Sequence, residues 1–207
     1  MLPRLYNSEI SGNCYKVRLL FSFLGLDYEK VPIGKVPGSP TSANDVPAGF
    51  LKLNPRGQIP VLEMDGQVLW DSTAILIYIA RRHGGEQWFP LCANGMARVA
   101  QWLALAQNDI LFGVARARSI RQGRQIASLE DAERFAQRAM ATLQAGLEDQ
   151  QWLAAEHPTI ADIACYPYAA LAADAGIALE DYPALPAWFR RIQALPGYLD
   201  MPGITRS

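Results

Sequence analysis

Ser11 combines a chemically useful side chain with a position that suits anion binding. It precedes an apolar segment, residues 14–24, that predicts a helix closed by Gly25. A serine hydroxyl and the free backbone N–H groups of a helix start can all donate hydrogen bonds, and the helix dipole favours negative charge there. Such donors lower the pKa of a bound thiol and increase its nucleophilic thiolate fraction. A serine in this position can equally act only as a helix N-cap.

A second pair of polar residues, Asp71 and Ser72, opens another predicted helix. The apolar run that follows them stops at Gly84-Gly85. Asp and Ser are common N-caps, and the hydroxyl and backbone donors that cap a helix can also bind a carboxylate. The sequence therefore has candidate anion sites at two helix starts.

The elements that would position these sites alternate between strand and helix. Asp65-Gly66 predicts a two-residue hairpin turn, because both turn positions favour positive φ. Residues 34–49 are rich in Pro, Gly, Ser, Asn and Asp, which predicts a surface loop. The predicted strands are residues 4–6, 28–33, 61–64 and 67–70, and a short helix is predicted at 50–53. The element order is βαβ, a helical link, then ββα.

The remainder of the chain has the periodicity of long helices. The predicted helices are residues 91–122, 128–153, 159–175 and 184–195. Thr159 and Asp162 have the spacing of a capping box, which indicates a role in folding rather than in chemistry. We therefore expect two domains, residues 1–84 and 91–207, joined by a linker at residues 85–90.

The composition narrows the class of protein. The chain has 207 residues, 50% of them hydrophobic and 19% charged, which is typical of a globular protein. Its net charge of -1 gives no excess of Lys and Arg for nucleic acid. No apolar run suits a membrane span or a secretory signal, so we expect a cytoplasmic protein. The three cysteines, Cys14, Cys92 and Cys165, lack metal-site spacing, which predicts free thiols and no bound metal.

Four segments of the chain resemble those of the glutathione transferase family. Their order and spacing also match, and the resemblance covers nearly the whole chain. The segments are residues 11–17 (SGNCYKV), 54–61 (NPRGQIPV), 71–72 (DS) and 159–162 (TIAD). The resemblance implies an α/β thioredoxin-like N-terminal domain followed by an all-α C-terminal domain. It also implies a cytosolic, serine-type member, theta-like or of a related bacterial class.

The resemblance implies that glutathione is the co-substrate and that one loop binds its backbone. In the family this loop ends in a cis proline, here Pro60. A cis bond would turn the backbone N–H and C=O of Ile59 outward, where they can pair with a tripeptide. Gln58 would reach the glycine end of glutathione, and Lys35 or Lys52 could assist.

The same resemblance gives roles to the residues at the two helix starts. Ser72 would bind the γ-glutamyl carboxylate, while Asp71 stands where the family more often has Glu and would steer the γ-glutamyl amine. Ser11 would donate a hydrogen bond to the sulfur, as serine does in the serine-using classes. Asn13 is the next candidate for that role, and Ser8 is a weaker one.

Other classes of the family use a tyrosine or a cysteine near the first helix to act on the sulfur. The corresponding candidates in this chain are Tyr6 and Cys14. Tyr6 lies inside the first predicted strand, so we expect a packed aromatic side chain. Cys14 could form a mixed disulfide with glutathione, but its place inside the helix start favours a buried structural thiol. The electrophile pocket is expected around Phe112 and Arg116, although helix periodicity does not separate pocket residues from core residues.

The expected function is conjugation of the glutathione thiol to small apolar electrophiles, as in detoxification. A homodimer is expected from the family, with no nucleic-acid or membrane partner. Two alternatives stay open from the sequence: a glutathione-dependent disulfide reductase or peroxidase, and a glutathione-binding interaction module without catalysis.

Overall fold

The computed structural model describes residues 2–33 and 49–206, and its N-terminal part is built on a mixed four-stranded sheet. The strands are β1 (Arg4–Asn7), β2 (Glu29–Pro32), β3 (Val61–Met64) and β4 (Gln67–Trp70), in the order β2-β1-β3-β4. β1 pairs with β2 in parallel, whereas β3 is antiparallel to both of its neighbours. The α/β architecture predicted for this half is confirmed. Lys35 and the predicted loop, except Gly49, lie outside the described residues.

The helices of this half follow the predicted order. They are α1 (Gly12–Phe23), α2 (Phe50–Leu53), α3 (Ser72–Ile79) and α4 (Gly85–Trp88), with a π-helical turn at Ala80–Gly84 between the last two. The short helix α4 lies in the segment predicted as a linker, where Trp88 is buried and stacks on Phe23. The predicted hairpin turn is also present, since Asp65 has φ 51° and Gly66 has φ 74°.

The described residues beyond position 90 form helices and connecting turns. The helices are α5 (Ala93–Leu105), α6 (Arg116–Arg121), α7 (Leu129–Leu147), α8 (Ile160–Ala170) and α9 (Ala184–Gln193). No helix in the described part of the chain is both long enough and apolar enough to span a bilayer. The prediction of a helical second half is confirmed.

The helix predicted over residues 91–122 differs from the prediction in its middle. A ten-residue π-helical segment, Ala106–Ala115, separates α5 from α6. This segment packs closely on α7: a Cβ added at Gly113 would lie 2.3 Å from the backbone nitrogen of Ala136. The wider π-helical turn changes which side chains share a face, and such turns often occur at functional sites.

The helix predicted over residues 128–153 ends earlier, at Leu147. The backbone N–H of Leu153 instead donates to Asp162 Oδ1 at 3.0 Å, so this segment turns into the core rather than continuing the helix. Asp162 Oδ2 also accepts from the backbone N–H of Thr159 at 2.9 Å, which confirms the predicted capping box. The predicted helix 159–175 likewise stops at Ala170, before a 3-10 turn at Ala173–Ala175.

Helix α1 joins the two halves, because it packs against α3 on one side and α8 on the other. The contact with α8 requires a glycine at the start of α1. A Cβ at Gly12 would lie 2.7 Å from the ring carbon Cζ of Tyr168. The aromatic ring of the helical half therefore covers the first turn of α1, where Ser11 and Asn13 lie.

Candidate active site

A cavity of about 320 Å³ opens where the proline loop, the start of α3 and the π-helical segment meet. Both halves of the chain contribute to its walls. The lining residues are Asn13, Asn54, Arg56, Gln58, Ile59, Pro60, Trp70, Asp71, Ser72, Gln107, Leu111 and Phe112. The cavity therefore brings together most of the residues predicted to bind glutathione. Ser11 and Arg116, which were also predicted as site residues, are outside this lining.

The proline loop is held by the side chain of Asn54. This residue is buried, its amide Nδ2 donates to the carbonyl of Gln58 at 2.7 Å, and its Oδ1 accepts from the backbone N–H of Arg56 at 3.0 Å. Asparagine commonly closes a turn in this way by bonding backbone groups two to four residues ahead. The Ile59-Pro60 peptide bond is cis, as predicted. Asn54 thus fixes the part of the loop that lines the cavity.

Asp71 has an unusual backbone conformation at the edge of the cavity. Its φ of 76° lies in a region that L-residues other than glycine rarely adopt, at a cost of about 1–3 kcal/mol. Its Oδ1 accepts from the backbone N–H of Thr73 at 2.9 Å, so Asp71 is the N-cap of α3. The side-chain amide of Gln107 also donates to Asp71 Oδ1, at 2.8 Å, and to Thr73 Oγ1, at 2.6 Å. The helical half therefore holds the conformation of Asp71.

Two buried polar atoms of the cavity lining lack a hydrogen-bond partner among the residues that the structure describes. They are the Ser72 hydroxyl oxygen Oγ and the Asn13 amide oxygen Oδ1. Leaving a buried polar group unsatisfied costs about 1–3 kcal/mol, so such groups are uncommon unless a ligand or water completes them. Both atoms belong to helix starts, where backbone N–H groups are also free. These unpaired groups can form hydrogen bonds with a polar ligand in the cavity.

Ser11 lies just outside the cavity lining and is half-buried. It is the N-cap of α1, and its Oγ accepts from the backbone N–H of Cys14 at 3.3 Å. Cys14 is fully buried, and burial raises the pKa of its thiol to about 11 although a hydrogen bond with Ser11 opposes this change. A buried thiol with a raised pKa is a poor nucleophile, which agrees with the structural role expected for Cys14.

Tyr6 is nearly buried and packs against Phe50, with ring centroids 5.5 Å apart. Its hydroxyl donates to Glu63 Oε1 at 2.6 Å, and burial raises its pKa. These contacts agree with the packed aromatic expected from the sequence. Ser8 lies in the segment before α1, and its backbone carbonyl accepts a hydrogen bond from the N–H of Ser11 at 3.2 Å.

The apolar end of the cavity is formed by the π-helical segment. Leu111 and Phe112 line it, and the Phe112 side chain is 40% exposed. The guanidinium of Arg116 lies 4.8 Å from the centroid of the Phe112 ring, so Arg116 packs against a lining residue. An apolar reactant has a surface here on which to pack.

Five lining residues were not predicted as site residues: Asn54, Arg56, Trp70, Gln107 and Leu111. The guanidinium of Arg56 lies 5.9 Å from the Trp70 ring centroid and 3.9 Å from Asp71 Oδ2. Arg56 is inside the NPRGQIPV segment and Trp70 precedes Asp71, so proximity to known motifs could have indicated both. Gln107 lies in a helix without a motif. Lys52, named as a further candidate, is exposed and outside the cavity lining.

Comparison with known proteins agrees with this geometry. The family model "Glutathione S-transferase, N-terminal domain" matches residues 5–87, and "Glutathione S-transferase, C-terminal domain" matches residues 108–196. A solved glutathione S-transferase from Xanthobacter autotrophicus Py2 superposes with a TM-score of 0.86 at 33% identity, covering 97% of both chains.

Curated relatives match over a similar length. Glutathione S-transferase GstB of Escherichia coli K12 is 26% identical over 201 residues, 93% of each chain. Disulfide-bond oxidoreductase YfcG of the same organism is 30% identical over 202 residues, covering 89% of this chain and 87% of that protein. With both family models matched and the whole fold shared, the chain belongs to the glutathione S-transferase family.

Proposed function

We propose that the protein binds glutathione in this cavity and conjugates its thiol to small apolar electrophiles. The observation that carries the proposal is the pair of orphaned buried atoms, Ser72 Oγ and Asn13 Oδ1, in a cavity that also contains the cis-proline loop. Glutathione has two carboxylates, an amine and a peptide backbone, and the lining offers complementary groups for each of them. The relatives named as glutathione S-transferases support the same activity.

The γ-glutamyl end of glutathione fits the start of α3. The Ser72 hydroxyl and the free N–H groups of this helix can donate to the carboxylate, which the helix dipole also favours. The Asp71 carboxylate, held by Gln107, can accept from the amine. Gln58 and the backbone of Ile59 would bind the remainder of the tripeptide by strand-like pairing.

The sulfur would then lie at the start of α1. Ser11 is proposed as its hydrogen-bond donor, as in a serine-type member of the family, because its hydroxyl proton can rotate from the buried Cys14 thiol to the sulfur of the ligand. Asn13 lines the cavity directly and is the alternative donor through its Nδ2. Either donor favours the thiolate over the thiol, and the thiol proton goes to solvent.

The reaction is nucleophilic attack by the thiolate on the electrophile. A bond forms between sulfur and the electrophilic carbon while the leaving group departs with its electron pair. The electrophile would pack on Leu111 and Phe112, next to the sulfur position. The protein contributes by holding both reactants together and by stabilising the thiolate, with no covalent intermediate on the protein.

Conjugation and binding assays on the purified protein test this function. Calorimetry should show one glutathione bound per chain, and the rate of chlorodinitrobenzene conjugation should saturate with glutathione. Binding without turnover on any electrophile would favour the non-catalytic module. An absence of glutathione binding would remove both enzymatic proposals.

A second candidate function is reduction of disulfides with glutathione. The observation that favours it is the 30% identity to the disulfide-bond oxidoreductase YfcG. An amide or hydroxyl at the start of α1 could stabilise the thiolate leaving group of this reaction as well. A hydroxyethyl-disulfide assay run beside the chlorodinitrobenzene assay distinguishes the two, since the ratio of the kcat/KM values shows which reaction dominates.

The remaining expectations are part of the same proposal. We infer a thioredoxin-like domain at residues 1–84, a helical domain at residues 91–207, a cytoplasmic location, a role in detoxification and a homodimer. The near-complete overlap with glutathione S-transferases supports them. Light scattering after size-exclusion chromatography tests the dimer, because a monomeric mass would contradict it.

A further inference from the structure

Lys16 is a fully buried cation that the proposed reaction does not use. Its side chain is 0% exposed, and its Nζ has no hydrogen-bond partner in the described part of the chain. The closest defined contact is the face of the Tyr168 ring, whose centroid lies 5.4 Å from Nζ. A cation–π contact replaces only part of the hydration that an ammonium loses on burial. Lys16 Nζ therefore has no directly bonded anion in the described part of the chain.

Lys16 lies in the same helix as Asn13, the residue of α1 that lines the cavity. Lys16 follows Asn13 by three residues in α1, a rise of about 4.5 Å along the helix axis. The same first turn is covered by Tyr168, whose ring packs on Gly12 and whose hydroxyl interacts with the Asn13 backbone. Lys16 is thus within one helical turn of a residue that lines the cavity.

Three titratable groups face Lys16, and none of them forms a hydrogen bond with its Nζ. From α8 these are the Cys165 thiol and the Tyr168 phenol, and burial raises the pKa of both, that of Tyr168 to about 12. From the start of α3 there is the Asp71 carboxylate, whose negative charge favours the ammonium while its Oδ1 bonds Thr73 and Gln107. Burial lowers the pKa of Lys16 to about 8, so the ammonium still predominates at neutral pH.

We propose that Lys16 is a positioning charge that stabilises the anionic form of the glutathione sulfur in the adjoining cavity. A charge enclosed by protein is weakly screened, so it acts over several ångströms on another ion in the protein. The ligand-free protein has a buried cation without a directly bonded anion, and a bound thiolate would add a negative charge near it. This inference rests on the proposed function, because it needs glutathione in the cavity.

The test replaces Lys16 by methionine, which is neutral and of similar length. The thiol pKa of bound glutathione is measured from the ultraviolet absorbance of the thiolate as a function of pH. We expect this pKa to rise by about one unit in Lys16→Met, a tenfold loss of thiolate at neutral pH. The value of kcat for conjugation below the thiol pKa should fall by a similar factor, with a smaller change in KM.

Lys30→Met is the matched control, since Lys30 is an exposed residue of β2 that pairs with Glu9. It makes the same chemical change away from the cavity, and it should leave the thiol pKa unchanged. A purely structural role for Lys16 would change stability without shifting the thiol pKa of a folded variant. An unchanged thiol pKa in folded Lys16→Met overturns the inference.

Lys16→Gln repeats the measurement with a neutral polar side chain. Both neutral variants should fold, because removing an unpaired buried charge relieves a cost to stability. Failure of both to fold would show that Lys16 is needed for the fold itself and would also overturn the inference. If wild-type protein does not bind glutathione by calorimetry, the proposed function fails instead.

Discussion

Gln107 and Asp71 lie 36 residues apart in the chain, and a hydrogen bond of 2.8 Å joins the Gln107 amide to the Asp71 carboxylate. The bond links the π-helical segment of the helical half to the N-cap of α3. Asp71 adopts a positive φ that few L-residues tolerate. The helical half therefore contributes to the proposed glutathione site by holding a strained residue of the other half in place.

Gln107→Ala should weaken glutathione binding more than it slows the chemical step. Hydrogen bonds to charged groups contribute about 1.5–3 kcal/mol, so we expect the Kd for glutathione to rise about tenfold or more. Calorimetry measures Kd, and steady-state kinetics at saturating glutathione measures kcat. The control is Gln101→Ala, at an exposed position of α5 outside the cavity lining, which should bind normally. Equal Kd values for the two variants would contradict the role given to Gln107.

Ser72→Ala should lower glutathione affinity without destabilising the free protein. The Ser72 hydroxyl oxygen is buried without a partner in the described structure, so its removal takes no hydrogen bond from the ligand-free state. The complex with glutathione should lose a charge-assisted hydrogen bond, which corresponds to a Kd about tenfold higher or more. Chemical denaturation and calorimetry on the same preparation measure both effects. A variant that is less stable yet binds glutathione normally would indicate a purely structural hydroxyl.

Ser11→Ala should reduce the conjugation rate far more than the affinity for glutathione. It removes the N-cap of α1, which costs about 1 kcal/mol of stability, together with the proposed donor to sulfur. Ser128→Ala removes an equivalent cap at the start of α7, at a residue outside the cavity lining. Both variants should lose similar stability, whereas only Ser11→Ala should lose turnover, by about tenfold or more. If Ser11→Ala retains full kcat, the same assay on Asn13→Ala tests the alternative donor.

The stability of the protein should rise with pH above about 8 because of Lys16. Its pKa is lowered from 10.5 in the unfolded chain to about 8 by burial, so the unfolded state binds more protons between these values. The native state bears the full cost of the buried charge below pH 8 and loses that cost as pH rises. The difference is on the order of 3 kcal/mol. Denaturation at about pH 7 and about pH 10 should show this gain in wild-type protein and not in Lys16→Met.

Local sequence signals predicted the parts of the site that depend on nearby residues. The hairpin turn at Asp65-Gly66, the cap at Ser11 and the capping box at Thr159 are each determined within a few residues, and all three are present. The proline loop was recognised from its motif. Asn54, which holds that loop by two hydrogen bonds, lies within the same motif.

Features that depend on tertiary packing were not predictable in this way. The π-helical segment arises where Gly113 allows close contact with α7, and a regular helical period does not reveal it. The end of α7 at Leu147 depends on Asp162 capturing the N–H of Leu153. Gln107 reaches the cavity only because the two halves pack together. These residues meet through long-range contacts, for which a single sequence carries little signal.

A crystal structure of the protein with glutathione bound tests the central claim most directly. The account predicts the γ-glutamyl carboxylate on Ser72, the tripeptide backbone paired with Ile59, and the sulfur within hydrogen-bond distance of Ser11 or Asn13. It would be contradicted by glutathione bound outside this cavity, or by a sulfur that contacts Tyr6 and neither of the two proposed donors.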